Sequence, residues 1–476
     1  MIEGLKPYAE YKESGLPWAS RIPAHWSLIP NRAVLKKRKI LVGAKHGNYR
    51  LLSLTKGGVI VRDISTGKGK FSSDMGTSQE VRKGDFVFCL FDVPETPRTV
   101  GLSPHDGMIT SAYTVFESKR LSPVGVLFLE LFYLAMDDEK LLSPLYSGLR
   151  HTIPPPRFLG TKTPQPPPDE QAAIVRFLDH ANRKIDGFIR AKRKLIGLLN
   201  EQKQAIIHRA VTCGLNPDVP LKPSGIPWLG EIPAHWGIVR NMALFSHRVE
   251  PGIGGLPVLQ VSLRSGITAE ELDQFGRPKR LIADATKYKR IHQGDMAYNT
   301  MRMWQGAVGV SPLDGLVSPA YVVLKPRKDT CPDFYDFIFH TDVYKQQVNR
   351  QSTGIVSDRN RLYWDSFKQM PNLTLPRAEQ EEIVAFIAKE TAALTAAIAR
   401  TEREIALMQE YRTRLTADLV TGKLDVREAA AKLPEGLGPS DRSDMSDVSD
   451  LSDLSDESDL SDLSDLSDET PREEGL

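Results

Sequence analysis

The strongest constraint on what this chain can fold into is that it says its most distinctive phrase twice. Pro17-Trp18 followed by Ile22-Pro23-Ala24-His25-Trp26 returns as Pro227-Trp228 followed by Ile232-Pro233-Ala234-His235-Trp236, 210 positions later. Gly84-Asp85 returns as Gly294-Asp295 at the same offset. Gly101, Ser103, Pro104, Asp106, Gly107, Ala112 and Tyr113 return as Gly309, Ser311, Pro312, Asp314, Gly315, Ala320 and Tyr321 at offset 208, a slip of one small loop. Glu170-Gln171 with Ile174, Val175 and Phe177 matches Glu379-Gln380 with Ile383, Val384 and Phe386 at offset 209. So long a period lies far beyond the roughly 20–50 residues of a solenoid repeat. It describes a whole domain and its connector, duplicated, so that the two halves are expected to recognise related things.

A chain of 476 residues has room for two to four domains, each with its own core. Its three cysteines, Cys89, Cys213 and Cys331, show no CxxC spacing. That disfavours a zinc site or a redox pair and fits a reducing compartment. Residues 1–30 hold no basic stretch followed by an apolar run, and no segment approaches the roughly 18–20 apolar residues of a spanning helix. The expectation is a soluble, cytoplasmic protein without membrane contact.

The formal net charge of +2 hides an asymmetry: residues 440–476 hold fourteen Asp and Glu against two Arg, a balance of −12, which leaves the preceding 439 residues at +14. A basic body suits a polyanion, most simply nucleic acid, although many basic proteins are merely soluble. Residues 440–468 carry ten Ser-Asp dipeptides at a period of three. That period cannot keep Leu451, Leu454, Leu460 and Leu463 on one helical face, so disorder is expected over 436–476. The bland reading is a solvated tail; the sharper one is a competitor of DNA phosphate for the basic body.

Short apolar runs broken by Gly, Asp and Ser, such as Asp85–Phe91 and Tyr113–Phe116, predict strands in a compact mixed domain, with a helix near Val124–Ala135. The second copy predicts strands at Gly255–Leu263 and Ala320–Leu324 and one helix over Phe334–Val348. Proline-rich residues 154–156 and 166–168 favour extended chain and close the first globular unit. A long helix follows from Glu170 to Cys213 with Asp169 as its cap, spanning roughly 66 Å at about 1.5 Å per residue.

Within that helix Ile185, Ile189, Lys192, Ile196, Leu199, Lys203, Ile206 and Ala210 step by four and three residues. Leu394, Ile398, Thr401, Ile405, Met408, Arg412, Leu415 and Leu419 do the same in a second helix from near Arg377. Both fit a coiled-coil seam, and polar residues interrupt both at the same two steps, which points to the helices as mutual partners. Packing of each on its own globular neighbour is the alternative. An antiparallel pair is favoured over a parallel one, because the exit of the first helix should lie near the entry of the second globular unit.

The sequence lacks a P-loop, HExxH, GxSxG and CxxC, and it lacks the Asn/Asp-Pro-Pro-aromatic tetrapeptide of adenine-N6 methyltransferases. His25 and His235 have no second histidine or acid at ligand spacing, so the Pro-x-His-Trp phrase reads as a plug of the domain edge. What remains is basic and amide side chains in predicted loops: Lys36, Lys37, Arg38, Lys45, Asn48, Arg50 and Arg98 in the first half, Arg264, Asn299, Arg302, Gln305, Arg359, Asn360 and Arg361 in the second. Cations bind phosphate, and Arg with Asn or Gln reads guanine and adenine in the major groove. Each cluster alone fits a solvated face as well. Their occurrence in two copies on a basic body favours DNA.

The Ile-Pro-x-His-Trp opening of each half, the Gly-Asp step, Ser318-Pro319-Ala320-Tyr321, the Pro-x-x-Glu-Gln entry at 376–380 and the ending Val420-Thr421-Gly422-Lys423-Leu424-Asp425-Val426 resemble the specificity subunit of type I restriction-modification enzymes, from about Leu16 to Glu428. The first half departs modestly, with Thr110-Ser111-Ala112-Tyr113, Pro168-Asp169-Glu170-Gln171 and Val211-Thr212-Cys213-Gly214-Leu215, and the Ser-Asp tail has no place in the pattern.

The resemblance implies an α+β chain with target-recognition domains at 15–168 and 225–376, and long helices at 169–215 and 377–428 that form an antiparallel coiled coil between them. It implies a reader without catalysis of its own: each domain contacts one half of a bipartite site in double-stranded DNA, and the helices set the unread spacer. Two modification subunits would dock on the helices and methylate adenine N6 with S-adenosylmethionine. Restriction subunits would add ATP- and magnesium-dependent translocation and cleavage, and no cofactor or metal is expected on this chain. Two alternatives stay open: the same reader in a related multisubunit enzyme that cuts beside its site, and a two-headed structural bridging protein.

Overall fold

The computed structural model describes residues 5–62, 75–226, 229–263, 266–269, 284–353 and 360–434. Pro227, Trp228, Arg264, Arg359 and the Ser-Asp tail lie outside the described residues. The described chain forms two units, one from the chain up to Arg190 together with that from Ile405 onward, the other from Ala191–Glu404.

In the first unit an antiparallel sheet runs in the order Leu35–Arg38, Thr114–Ser118, Phe86–Phe88, Val100–Leu102. Alternation along the strands sends Phe86, Phe88 and Phe116 to one face and Val87, Cys89 and Val115 to the other, the period of two inherent to a pleated strand. The phenylalanine face packs on the helix Pro123–Asp138, where the rings of Phe88, Phe116, Tyr133 and Phe158 meet at centroid distances of 4.9–5.5 Å. Each ring removed from water contributes about 1.5–3 kcal/mol. The valine face is covered by the pairs Leu52–Thr55 with Gly58–Val61 and Gln79–Val81 with Gly107–Ile109.

The second unit repeats this plan: Phe245–Arg248, Tyr321–Pro326, Met296–Asn299, Val308–Val310, with Arg248 opposite Val323 as Arg38 is opposite Val115. Its cover is Leu259–Ser262 with Gly266–Ala269 and Lys289–Ile291 with Gly315–Val317. Two of the glycines that recur in the sequence lie where the two strand pairs of the cover meet. A Cβ on Gly107 would stand 2.5 Å from the Arg50 carbonyl oxygen, and one on Gly315 would stand 2.6 Å from the Leu259 side chain and 2.9 Å from the Pro257 carbonyl.

The long helices are Pro168–Cys213, 46 residues, and Arg377–Val420, 44 residues. Each unit's core takes one end of each helix: Ile174, Phe177 and Leu178 with Leu415, Leu419 and Val420 in the first, Ile207, Ala210 and Val211 with Ile383 and Ile387 in the second. In the first unit Arg412 pairs with Asp186 and Arg176 donates to the Ala430 carbonyl, an antiparallel order. In the second, Lys192 Nζ lies 2.6 Å from Glu404. Ile185, Ile189, Ala210, Thr401, Leu415 and Leu419 are buried. Lys192, Ile196, Leu199, Lys203, Ile206, Leu394, Ile398, Ile405, Met408 and Arg412 are half-buried, whereas Leu195, Leu198 and Leu407 off the seam are exposed.

Three local expectations are corrected. The first long helix begins at Pro168, so Asp169 sits in its first turn and does not cap it. The Pro167 carbonyl accepts from the Glu170 and Gln171 amides, and proline suits the first helical position because no amide there needs a partner. The proline-rich passage does not simply extend: Pro155–Gly160 is a helix opened by its prolines, it buries Phe158, and Lys162–Gln165 pairs with Ser27–Pro30. The predicted helix Phe334–Val348 is two helices, Pro332–Phe339 and Asp342–Gln351, because the Thr341 side chain accepts from the Tyr344 amide and caps a new start. Antiparallel order brings Lys192 to Glu404 and Arg412 to Asp186. His25 and His235 meet acids far away in sequence, Glu170 and Glu379, at 2.8 and 2.9 Å.

Candidate nucleic-acid interface

The residues that recur between the halves hold the frame. Gly84 and Gly294 turn at φ of 87° and 82°, a conformation that needs glycine. The carboxylate of Asp85 accepts from the Arg82 amide at 2.8 Å and lies 3.1 Å from Arg38 Nε, while Asp295 accepts from the His292 amide at 3.0 Å and lies 2.6 Å from Arg248 Nε. Arg38 also pairs with Glu117 at 2.8 Å, and only 11% of its side chain is exposed. Burial pushes the Asp85 carboxyl up, against the opposing pull of the Arg82 amide and the Arg38 charge. Arg38 is thus a buried tie between strands. Asp106 and Asp314 accept from the Lys83 and Gln293 amides at 2.9 and 2.8 Å, closing the same turn in each copy.

The segments that do not recur gather at the opposite end of the strands Phe86–Phe88 and Met296–Asn299. The Ile153 amide donates to the Leu90 carbonyl, and the Leu362 amide to the Thr300 carbonyl, both at 2.8 Å. The Cys89 amide donates to Thr99, and the Asn299 amide to Ala307, at 2.8 and 3.0 Å. Between these matched anchors the copies differ: residues 139–152 in the first unit are replaced by residues 340–361 in the second, and the loop up to Thr99 by the loop up to Ala307.

In the first unit this end carries Arg98, tied to Asp137 at 3.3 Å and Asp138 at 2.8 Å, and a tip where Ser147 pairs with Thr152 and Leu149 is fully exposed. Arg150 fastens the tip to Asp92 at 2.5 Å, and that hydrogen bond holds the Asp92 carboxyl below its usual range.

In the second unit the buried Asn299 accepts from the Met301 amide at 2.9 Å and shapes a turn that sets out Arg302, Trp304 and Gln305. Trp304 and Gln305 border a depression completed by Asp342, Lys345, Gln346 and Asn349 from the helix Asp342–Gln351. Asn360 donates to Asn349 Oδ1 at 3.3 Å, and the exposed Arg361 is held through its backbone to Thr353 at 3.0 Å. Beside them, burial pushes the Asp336 carboxyl up to about 6, with His340 pulling it the other way.

Gln305, Asn360 and Arg361 are thereby brought to one end of the second unit. Lys345, Gln346, Asn349 and Arg350 were missed by the sequence reading. Their signal was present, as polar residues four apart flanking the buried Tyr344 and Val348. The remaining first-half candidates lie elsewhere. Lys36 pairs with Glu117 at 2.9 Å, Lys37 is exposed on the same strand, and Lys45 and Asn48 are exposed on the short helix Gly43–Asn48. Asn48 and Arg50 line a second depression with Tyr49 and residues Pro104–Gly107. Arg264 and Arg359 lie outside the described residues.

Among the described residues no group of three or more His, Cys, Asp or Glu could hold a metal ion, and no helix is long and apolar enough to cross a membrane. The arrangement can bind and discriminate: cations for phosphate, amides and guanidinium groups for base edges.

Comparison with known proteins gives a fold. A solved structure concerned with complex assembly and conformational transition of the type I R-M system superimposes with a TM-score of 0.55 at 15% identity, covering 84% of this chain and 98% of that one. The HsdS subunit from Thermoanaerobacter tengcongensis aligns at 15% identity and a TM-score of 0.38, over 84% of this chain and 98% of its own. The S subunit of a type-I restriction-modification system from M. genitalium aligns at 11% identity and a TM-score of 0.32, over 83% and 96%. No family model and no curated protein matches the chain.

Proposed function

We propose that this chain is the DNA sequence-specificity subunit of a type I restriction-modification complex. The observation that carries the reading is one frame built twice, each time with a different set of loops at the same end of its sheet. A shared frame serves a shared task, and exchanged loops serve different targets. The basic body, the polar and cationic loop residues and the fold held in common with a type I R-M structure support it.

On this reading each head contacts one half of a bipartite site in double-stranded DNA. One small head makes few base contacts, each worth about 1–3 kcal/mol of discrimination, so two heads on one chain multiply selectivity without enlarging either. The helix pair sets the spacer and docks two modification subunits, which bring S-adenosylmethionine to adenine N6. Restriction subunits bring ATP and magnesium, and the chain itself is non-catalytic and acts on cytoplasmic DNA.

The test is co-expression with the neighbouring modification subunit and mapping of N6-methyladenine across host DNA. One two-part motif with a fixed gap is expected. A stable complex that leaves the DNA unmethylated overturns the assignment.

A further inference from the structure

We infer that the helix Asp342–Gln351 is the reading helix of the second head, entering the major groove with Gln346 and Asn349 toward the base edges, each placed to read an adenine. This rests on the DNA-reading function proposed above and assigns its second half-site to particular residues.

The helix is locked from beneath and polar above. Tyr344 and Val348 are fully buried; the Tyr344 ring lies 4.9 Å from that of Phe339, and its hydroxyl accepts from Asn241 at 2.8 Å. Gln346, Asn349 and Arg350 are exposed, and Lys345 is half-exposed beside Asp342 at 2.8 Å. Lys345, Arg350 and the nearby Arg361 outnumber Asp342, a basic surplus that fits phosphate.

The dimensions agree. A helix about 10–12 Å across with its side chains fits a groove about 12 Å wide, and ten residues run roughly 15 Å along it. Gln346 and Asn349 are separated by a rise of roughly 4.5 Å, against about 3.4 Å per base pair, so they meet neighbouring pairs. A carboxamide both accepts from adenine N6 and donates to N7, the bidentate match that selects adenine. Asn360, bonded to Asn349 at 3.3 Å, is a positioning residue, and Gln305 stands across the depression.

Among the described residues the helix has no counterpart in the first unit, where residues 139–152 form a single turn, Ser143–Leu145, and the tip at Leu149. It stands between matched anchors of the frame, where a change of target leaves the fold undisturbed.

The experiment is selection from randomised duplex DNA by the full-length chain, as wild type, Gln346→Ala and Gln346→Glu, at one salt concentration and with thermal unfolding in parallel. The wild type should select a two-part motif. Gln346→Ala should lose the base preference at one or two adjacent positions of one half and bind the original site roughly 10- to 100-fold more weakly, with the other half and the unfolding midpoint unchanged. Gln346→Glu should turn adenine into cytosine at that position, since a carboxylate accepts from cytosine N4. Both variants selecting the wild-type motif, or Gln346→Ala weakening both halves equally, overturns the reading helix while leaving the two-headed reader standing. A wild type that selects no motif overturns both.

Discussion

Trp26 donates its indole N–H to Glu170 at 2.9 Å, and Trp236 donates to Glu379 at the same distance, so the phrase that the sequence repeats is closed each time by the Glu that opens a long helix. Both indoles are fully buried. His25 and His235 take the second carboxylate oxygen at 2.8 and 2.9 Å, and in the first unit Tyr8 also donates to Glu170. Burial, with Glu170 beside it, drives the Tyr8 phenol far above its usual range. Glu170 is 3% exposed and Glu379 25%.

Glu170→Ala should therefore strand a buried indole and phenol and cost about 3 kcal/mol, whereas Glu379→Ala, better reached by water, should cost about 1 kcal/mol. Denaturant unfolding of the two variants checks the order. Equal losses would remove burial as the cause.

Arg38 and Lys37 are neighbours on one strand with opposite fates. Arg38→Ala should leave Asp85 buried without its cation and destabilise the first unit by about 3 kcal/mol. Lys37→Ala should leave the unfolding midpoint in place. If Lys37 touches phosphate, its loss lowers the slope of log K against log salt by about 1, read from DNA binding at several salt concentrations.

Gly107→Ala and Gly315→Ala each drive a methyl group against backbone and leucine side chain where the two strand pairs of the cover meet. Both should lose about 2–3 kcal/mol by thermal unfolding. Gly84→Ala meets open space but must hold φ near 87°, and should lose about 1 kcal/mol.

Asp336 supplies a pH dependence. Its carboxyl is raised by burial to about 6, above the unfolded value of about 3.9, so the folded state binds its proton more tightly. Its contribution to stability is full below about pH 4 and is lost as pH rises through 6. With 30% of the side chain exposed, water limits the effect to about 1 kcal/mol. Asp336→Asn should gain stability relative to wild type at pH 8 and show no gain at pH 4, measured by thermal midpoints across that range.

Much of the architecture was legible because its signals are local. Strand alternation at Phe86–Phe88, the four-three steps from Ile185 to Ala210 and the recurrence of Gly84-Asp85 depend on residues near one another in sequence. The break at Thr341 was not read, because the apolar spacing of Phe334, Ile338 and Val348 runs across it and a side-chain cap leaves no periodic trace. In the interface, Gln305, Asn360 and Arg361 were found from residue type, while the helix bearing Gln346 was read as an extension of its predecessor.

By itself, the sequence determined that one domain is made twice and that each copy leads into a long helix with a single apolar seam, since repetition and periodicity survive without any knowledge of contacts. The tertiary structure decided which charges are free. Arg38 is consumed by Asp85 and Glu117, Arg98 by Asp137 and Asp138, and Glu170 by His25 and Trp26, each a partner brought close only when the chain closes on itself. Ion pairs between distant residues carry no spacing rule, because burial and reach select them, and the same closure sets Gln346 and Asn349 on the outside, where they can meet a ligand.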